Sequence, residues 1–259
     1  MNQLFRNRIG IPAEETITFQ HLPNVLLKTA KAIPFENLRI IENKTRSITK
    51  ENVIDKMLVK QEGGLCYELN ALLYFFFVEN GFNAELVRGV VYNNDKKEWL
   101  TLGSTHVAVL LRHDEQTYLV DTGFGSNLPL KPVPLNGEVI TSSNGEFRIK
   151  QSDNDHGNYV LELKLAHKDK DWRIGYTFDS KRPVKNVADF NEIQTILIED
   201  DASPFNKNSL VTKFTDDGTI TLTDTSLTQW INGKYSKEKI DHKQFNDLAK
   251  QHFGLAGMK

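Results

Sequence analysis

The chain has 259 residues, 39% hydrophobic and 25% charged, enough for one large domain or two to three small ones with a real apolar core. Its net charge of −2 argues against a dominant nucleic-acid surface, which would need clustered Lys and Arg. The longest apolar run, Ala71 to Val78, is far short of the roughly 18 residues of a membrane helix.

Residues 1–80 read mostly as helix. Leu22, Val25, Leu26, Thr29, Ala30 and Ile33 follow a helical period that Pro34 stops. A second amphipathic helix covers 50–60, with Glu51, Val53, Ile54, Met57 and Leu58, and Gly63-Gly64 breaks it. A third starts near Leu65, carries Leu69, Leu72, Leu73, Phe76 and Phe77 as an apolar stripe, and stops at Asn80-Gly81.

From residue 82 the pattern changes to strand. Ala84 to Tyr92, His106 to Arg112, Thr117 to Gly123, Glu146 to Lys150, Tyr159 to Leu165 and Trp172 to Phe178 are rich in β-branched and aromatic residues. Residues 185–200 return to helix. Beyond Pro204 come strands at Leu210 to Phe214 and Thr219 to Thr223, turned by Asp216-Asp217-Gly218, and a last helix over about 237–252. Helices, then strands, then a small mixed unit indicate an α+β fold rather than alternating βαβ units.

Cys66 is the only cysteine, so it forms no internal disulfide. It is a packing residue, a bystander or a nucleophile. Its place in Gly63-Gly64-Leu65-Cys66-Tyr67-Glu68-Leu69-Asn70, on the first turn of a helix, favours the last. Unpaired N–H groups and the positive end of the helix dipole stabilise a thiolate there. Small glycines also let a substrate come close. A single thiol and an N-terminal sequence, Met1-Asn2-Gln3-Leu4-Phe5-Arg6, without the apolar stretch of a signal peptide suit a reducing, cytoplasmic location.

A nucleophilic thiol needs a base, and the base an orienting group. Of seven histidines, His106 alone opens an apolar run, Val107 to Leu111. The next strand ends at Asp121. A turn within His113-Asp114-Glu115-Gln116 sets His106 and Asp121 directly opposite if it centres between His113 and Asp114, or diagonally if it centres one residue later. Both registers keep the two side chains on one face, within cross-strand reach. The hairpin alone equally fits a capped strand, with Asp121 binding the Thr122-Gly123 turn.

These segments, with Ile33-Pro34-Phe35-Glu36-Asn37-Leu38 upstream, Val120-Asp121-Thr122-Gly123-Phe124-Gly125 and Ala202-Ser203-Pro204-Phe205 downstream, resemble the arylamine N-acetyltransferases of bacterial type over about 5–230. The resemblance implies a helical bundle over 1–82 carrying the cysteine, and a β-barrel-like domain over 83–184 carrying the histidine and aspartate. An interdomain helix over 185–204 and an α/β lid over 205–259 follow, on a cysteine-proteinase-like core. It further implies acetyl-coenzyme A as donor, an aromatic amine, hydrazine or hydroxylamine as acceptor, ping-pong transfer and no metal. Carried over residue by residue, Cys66 is the nucleophile, His106 the base and Asp121 the orienter. Phe35, Phe124 and Phe205 correspond to aromatics of the acceptor pocket, for which core packing is the competing role. Gly103, Gly123 and Gly125 correspond to positions where the acyl group and pantetheine arm approach.

Two positions depart from the family pattern. Glu62 stands where an arginine is usual, four residues before the cysteine, and Leu65 where a bulky aromatic is usual. That arginine pairs in the family with the glutamate matching Glu36, so Glu36 and Glu62 are expected to oppose each other unless Lys60 or Arg39 intervenes. Competing functions are a related Cys-His-Asp acyltransferase, amide synthase or thioester hydrolase, a cysteine peptidase, or a weakly active relative that only holds coenzyme A or an aromatic ligand. No phosphate-binding glycine motif or zinc-ligand spacing is present. No nucleic-acid or membrane partner is expected. The oligomeric state is open, a homodimer included.

Overall fold

The computed structural model describes residues 1–166 and 168–255. Helices α1 (Asn2–Ile9) and α2 (Leu22–Ala32) lead into a two-residue strand, β1 (Phe35–Glu36). After it come α3 (Leu38–Ile41) and α4 (Lys50–Ile54), which runs on into a π-helical turn over Asp55–Val59. They share one apolar core with α5 (Cys66–Glu79). Helix α5 is buried on nearly every side: Leu69, Leu72, Leu73, Phe76 and Phe77 are each at most 2% exposed. A helix this apolar all round is stable only inside a core.

Among the described residues, nine antiparallel strands form the central sheet. They are β2 (Asn83–Asn93), β3 (Glu98–Trp99), β4 (His106–His113), β5 (Gln116–Val120) and β6 (Val133–Pro134), then β7 (Ile140–Ser142), β8 (Gly145–Asn154), β9 (Gly157–Leu165) and β10 (Arg173–Val184). The order is β6-β5-β4-β2-β10-β9-β8-β7, with β3 on β2. Strand β6 lies against β8, so the sheet curls into a nearly closed barrel. Side chains alternate across a strand, and β4 uses both faces. Val107, Val109 and Leu111 enter the core around α5, while Ala108 and Leu110 enter the barrel core. Its continuous apolar run reflects this two-sided burial.

A short 3-10 turn leads into α6 (Phe190–Glu199). Strands β11 (Leu210–Phe214), β12 (Gly218–Thr223), β13 (Ser226–Ile231) and β14 (Lys234–Lys239) form a meander, and α7 (His242–Phe253) covers it with Phe245, Ala249 and Phe253. Strand β1 joins this sheet through Phe35 opposite Thr212. The segment that leaves α2 is thereby tied to the C-terminal unit.

The α+β class expected from the sequence is present, and so are its main elements. Two details differ, and one that was left open is decided. The last helix begins at His242, not near 237, because 234–239 pairs with β13 as an exposed edge strand. Strand β5 stops at Val120, before Asp121. The turn between β4 and β5 takes the later register: His113 pairs with Gln116, with Asp114 and Glu115 both at positive φ.

Glu36 and Glu62 do not oppose each other, because Arg39, one of the two cations named as able to intervene, does so. Arg39 Nε holds Glu62 at 2.8 Å. Glu36 instead shares Lys56 with Glu68: Lys56 Nζ lies 3.3 Å from Glu36 and 2.8 Å from Glu68. Glu68 Oε2 accepts from the Leu65 N–H at 3.0 Å, capping α5, and Glu36 Oε2 accepts from the Leu38 N–H at 2.6 Å. Burial pushes the Glu36 carboxyl up. It opposes the charge on Lys56 too, but the two carboxylates outweigh it and hold the ammonium above its ordinary value. The buried cation therefore comes from the helix before the loop and not from the loop itself.

Removing one partner of such a buried cluster costs about 3–5 kcal/mol. Lys56→Met is expected to lower the calorimetric unfolding midpoint on the order of 10 °C, given a few degrees per kcal/mol in a chain of this size. An unchanged midpoint would mean that the cluster carries no net weight.

Candidate active site

Leu65 has extended backbone, so α5 begins directly after it and Cys66 sits on the first turn, 7% exposed. The loop ahead is fastened to β1: Gly64 pairs in parallel with Phe35, and the Glu36 N–H donates to Gly64 O at 3.0 Å. A Cβ on Gly63 would stand 2.1 Å from Pro34 O, so only glycine permits this approach. Cys66 Sγ lies 3.5 Å from Thr105 O, at the start of β4.

His106, 4% exposed, opens β4 on its barrel face. Its Nε2 is 2.8 Å from Asp121 Oδ2, and the ring also hydrogen-bonds Cys66. Asp121, 2% exposed, has four neighbours that hydrogen-bond its carboxylate. Besides His106, the Tyr176 hydroxyl donates to Oδ2 at 2.9 Å; the Asn70 amide and the Gly123 N–H donate to Oδ1 at 2.9 and 2.7 Å.

Asn70 lies four residues after Cys66, hence on the same face of α5. Its Nδ2 also donates to Val107 O at 2.7 Å, and its Oδ1 accepts from the Thr122 N–H at 3.0 Å. Tyr176 packs its ring 4.3 Å from that of His106. Sequence reading assigned no role to Asn70 or Tyr176. The i, i+4 spacing from Cys66 could have flagged Asn70. Tyr176 arrives from β10, 55 residues from Asp121, through strand pairing alone.

Burial pushes His106 toward its neutral form, but the charge and hydrogen bond of Asp121, with that of Cys66, outweigh it and raise its pKa to about 10. Burial likewise raises Asp121, and the His106 charge, the Asn70 amide and the Gly123 N–H overcome it and hold the carboxyl below its ordinary range. Tyr176 is pushed well up by burial and by Asp121, so its hydroxyl stays a donor.

Above the thiol opens a cavity of about 410 Å³. Cys66, His106, Phe35, Phe124, Phe205, Gly123 and Gly125 all border it. Phe35 and Phe205 meet edge-on at 5.7 Å, and Phe124 packs against both His106 and Tyr176 at 5.1 Å. A Cβ on Gly123 would lie 2.5 Å from Cys66 Cα, which demands glycine there. Gly103 does not border the cavity; it lies three residues before His106 at a φ of +69°. Eight of the nine residues assigned to the site from sequence thus come together, and Gly103 stands apart.

Chemically, a thiol, an imidazole and a buried carboxylate holding the ring, set beneath an apolar cleft, are an arrangement capable of acyl transfer. Comparison with known proteins places the chain in a family. A family model described as N-acetyltransferase matches residues 18–257. The uncharacterized acetyltransferase YvcN of Bacillus subtilis is 38% identical over 241 residues, spanning 93% of this chain and 92% of its own. An arylamine N-acetyltransferase from Bacillus cereus, described as having a unique Cys-His-Glu catalytic triad, superposes with a TM-score of 0.93 at 41% identity over 98% of both chains. One from Mycobacterium marinum, solved in complex with CoA, shares the fold with a TM-score of 0.85 at 24% identity, over 98% of this chain and 93% of that one. The chain belongs to the arylamine N-acetyltransferase family and is an acyltransferase.

The two shifted groups predict a pH dependence of stability. His106 is raised, so its contribution is complete below its unfolded value of 6.5 and is lost as pH rises to about 10. Asp121 is lowered, so its contribution is present above 3.8 and is lost as pH falls below that. The difference in unfolding midpoint between the wild type and His106→Gln is therefore expected to be largest between about pH 4 and 6.5 and to close towards pH 10. A difference constant from pH 6 to 10 would contradict a charged His106–Asp121 pair.

Proposed function

We propose that the protein transfers an acetyl group from acetyl-coenzyme A to the nitrogen of aromatic amines, hydrazines or hydroxylamines by a ping-pong route through acetyl-Cys66. The observation that carries this reading is the Cys66–His106–Asp121 relay at the floor of an apolar cavity, in a chain of this family. A fold neighbour that holds CoA supports the choice of donor. A single thiol also suits work in the reducing cytoplasm.

Cys66 is the nucleophile, His106 the base and Asp121 the orienter. His106 accepts the thiol proton and, as imidazolium, pairs with the thiolate while Asp121 steadies its charge. The thiolate attacks the thioester carbonyl. N–H groups at the start of α5, that of Cys66 among them, meet the oxyanion. The C–S bond to coenzyme A breaks, and His106 returns the proton to the departing sulfur. In the second half, the neutral amine attacks the acetyl carbon, His106 takes a proton from its nitrogen, and Cys66 leaves as thiolate and is reprotonated.

Phe35, Phe124 and Phe205 offer ring faces and edges to the acceptor. Gly123 and Gly125, lacking side chains, leave room for the acyl group and the pantetheine arm. Gly103 acts at one remove, by turning the chain into Thr105 and His106.

Incubation with acetyl-coenzyme A alone is expected to give one acetyl adduct by intact-protein mass, absent in Cys66→Ala. Release of free coenzyme A should become continuous only when an aryl amine is added. His106→Gln is expected to slow adduct formation about 10²–10⁴-fold, the usual worth of a general base. An adduct that forms on Cys66→Ala, or none on the wild type, would reject the scheme. Steady coenzyme A release without acceptor would favour a thioester hydrolase.

A further inference from the structure

The loop that follows Asp121 brings Gly123, Phe124 and Gly125 to the cavity above the thiol. Gly123 packs on Cys66 and donates to Asp121, and Phe124 lies against His106. Between residues 122 and 132, however, the described backbone makes one hydrogen bond to other backbone, from the Asn127 N–H to Phe124 O at 3.0 Å. Leu128 and Leu130 hold the loop's apolar side in a small core with Ala30 and Phe214. With so little internal structure, its carbonyls must be met from outside.

Asn144 meets two of them. It stands in the turn between β7 and β8, where Ser142 pairs with Gly145. Its Nδ2 donates to Ser126 O at 3.0 Å and to Leu128 O at 2.9 Å. Both partners are acceptors, so the amide nitrogen must face them, and both of its hydrogens are used. The turn that carries this amide is itself fixed. Asn144 O accepts from the Ala166 N–H at 2.9 Å, and the Asn144 N–H donates to Ser142 Oγ at 3.1 Å. A Cβ on the next residue, Gly145, would stand 2.3 Å from Lys164 O, so the hairpin sits tightly on β9.

Resting on the acetyl-transfer reading above, we infer that Asn144 is a positioning residue for the reaction. It is not among the described residues that border the cavity. It acts through the loop: by clamping Ser126 and Leu128 to the β7–β8 turn, it sets how Gly123, Phe124 and Gly125 stand against Cys66 and His106. The relay groups keep their own partners, since Asp121 and His106 make no contact with Asn144.

Two reactions of the same thiol test this in the full chain. Acetylation by acetyl-coenzyme A, followed by intact mass, needs the donor placed against the loop. Alkylation by iodoacetamide needs the thiolate–imidazolium pair but no such placement. Asn144→Asp keeps the shape and turns the donor into an acceptor facing two carbonyls. Asn144→Ala removes the clamp together with some packing.

Asn144→Asp is expected to slow acetylation about 10- to 100-fold, the scale of a misplacement near 1 Å, with a smaller loss in Asn144→Ala. Alkylation rates from pH 6 to 9 should stay within about threefold of the wild type, because small reagents do not draw on that placement. Unfolding midpoints should fall by only a few degrees, since Leu128 and Leu130 still anchor the loop.

Unchanged acetylation in Asn144→Asp overturns the assignment. So does equal slowing of acetylation and alkylation, or a variant that does not fold, since Asn144 would then be a general contact of the fold. A larger loss in Asn144→Ala than in Asn144→Asp overturns it too, because packing and not the amide would matter. No acetyl adduct on the wild type overturns the acetyl-transfer reading itself, which separates the two failures.

Discussion

The carboxylate of Asp121 is the interaction on which the site depends. It is almost fully buried, and a charge so placed is tolerable only when its lone pairs are met. Its four partners come from four places: Asn70 on α5, His106 on β4, Tyr176 on β10 and the Gly123 N–H in the loop beyond β5. Satisfying the charge and bringing helix and barrel into register are therefore one event. A helix docked one turn away would leave a buried carboxylate without its amide donor and the thiol without its imidazole. The B. cereus relative is described with a glutamate in its triad. Here the residue held against the histidine is an aspartate, and its short side chain suits so close a cage.

A second constraint acts on the thiol from the other side. The loop at Gly63-Gly64 is pinned to β1, and β1 is pinned to the C-terminal sheet through β11. Cys66 is consequently fixed with respect to all three parts of the chain. The buried Glu36–Lys56–Glu68 cluster stiffens this joint, since Glu68 caps α5 while Glu36 anchors the turn into α3. Placement of the cation on the preceding helix frees position 62 to carry a glutamate, which Arg39 then neutralises. The departure at Glu62 is thus a different wiring of the same joint and leaves no like-charge clash.

Much of this was legible along the chain because its signals are local. The helical periods before residue 80, the glycine pair before Cys66, and the apolar strand after His106 each express short-range sterics or burial. Hairpin geometry narrowed the relation of His106 to Asp121 to two registers on one face, and the turn at Asp114-Glu115 selects the diagonal one. The end of the edge strand, 237–239, was misread as helix because its charged, lysine-rich composition lacks an apolar face; the strand is exposed along its whole length and held by pairing to β13. Tyr176 and Lys56 carried no mark of their roles. Each is an ordinary residue within its own element, and its partner lies far away or across a loop.

The sequence by itself determined which side chains could do chemistry: one thiol at a helix start, one histidine at the mouth of a core strand, one aspartate at the end of the next, and the family these motifs define. Spacing within an element is enough for that, because backbone periodicity decides which residues share a face. Only the tertiary structure decided how the charges are balanced, which register the hairpin takes, and that Cys66 and His106 share the mouth of one largely apolar cavity. Those properties belong to side chains brought together by packing from α5, the barrel and the C-terminal sheet. Burial sets their energies, and burial is a property of the assembled core.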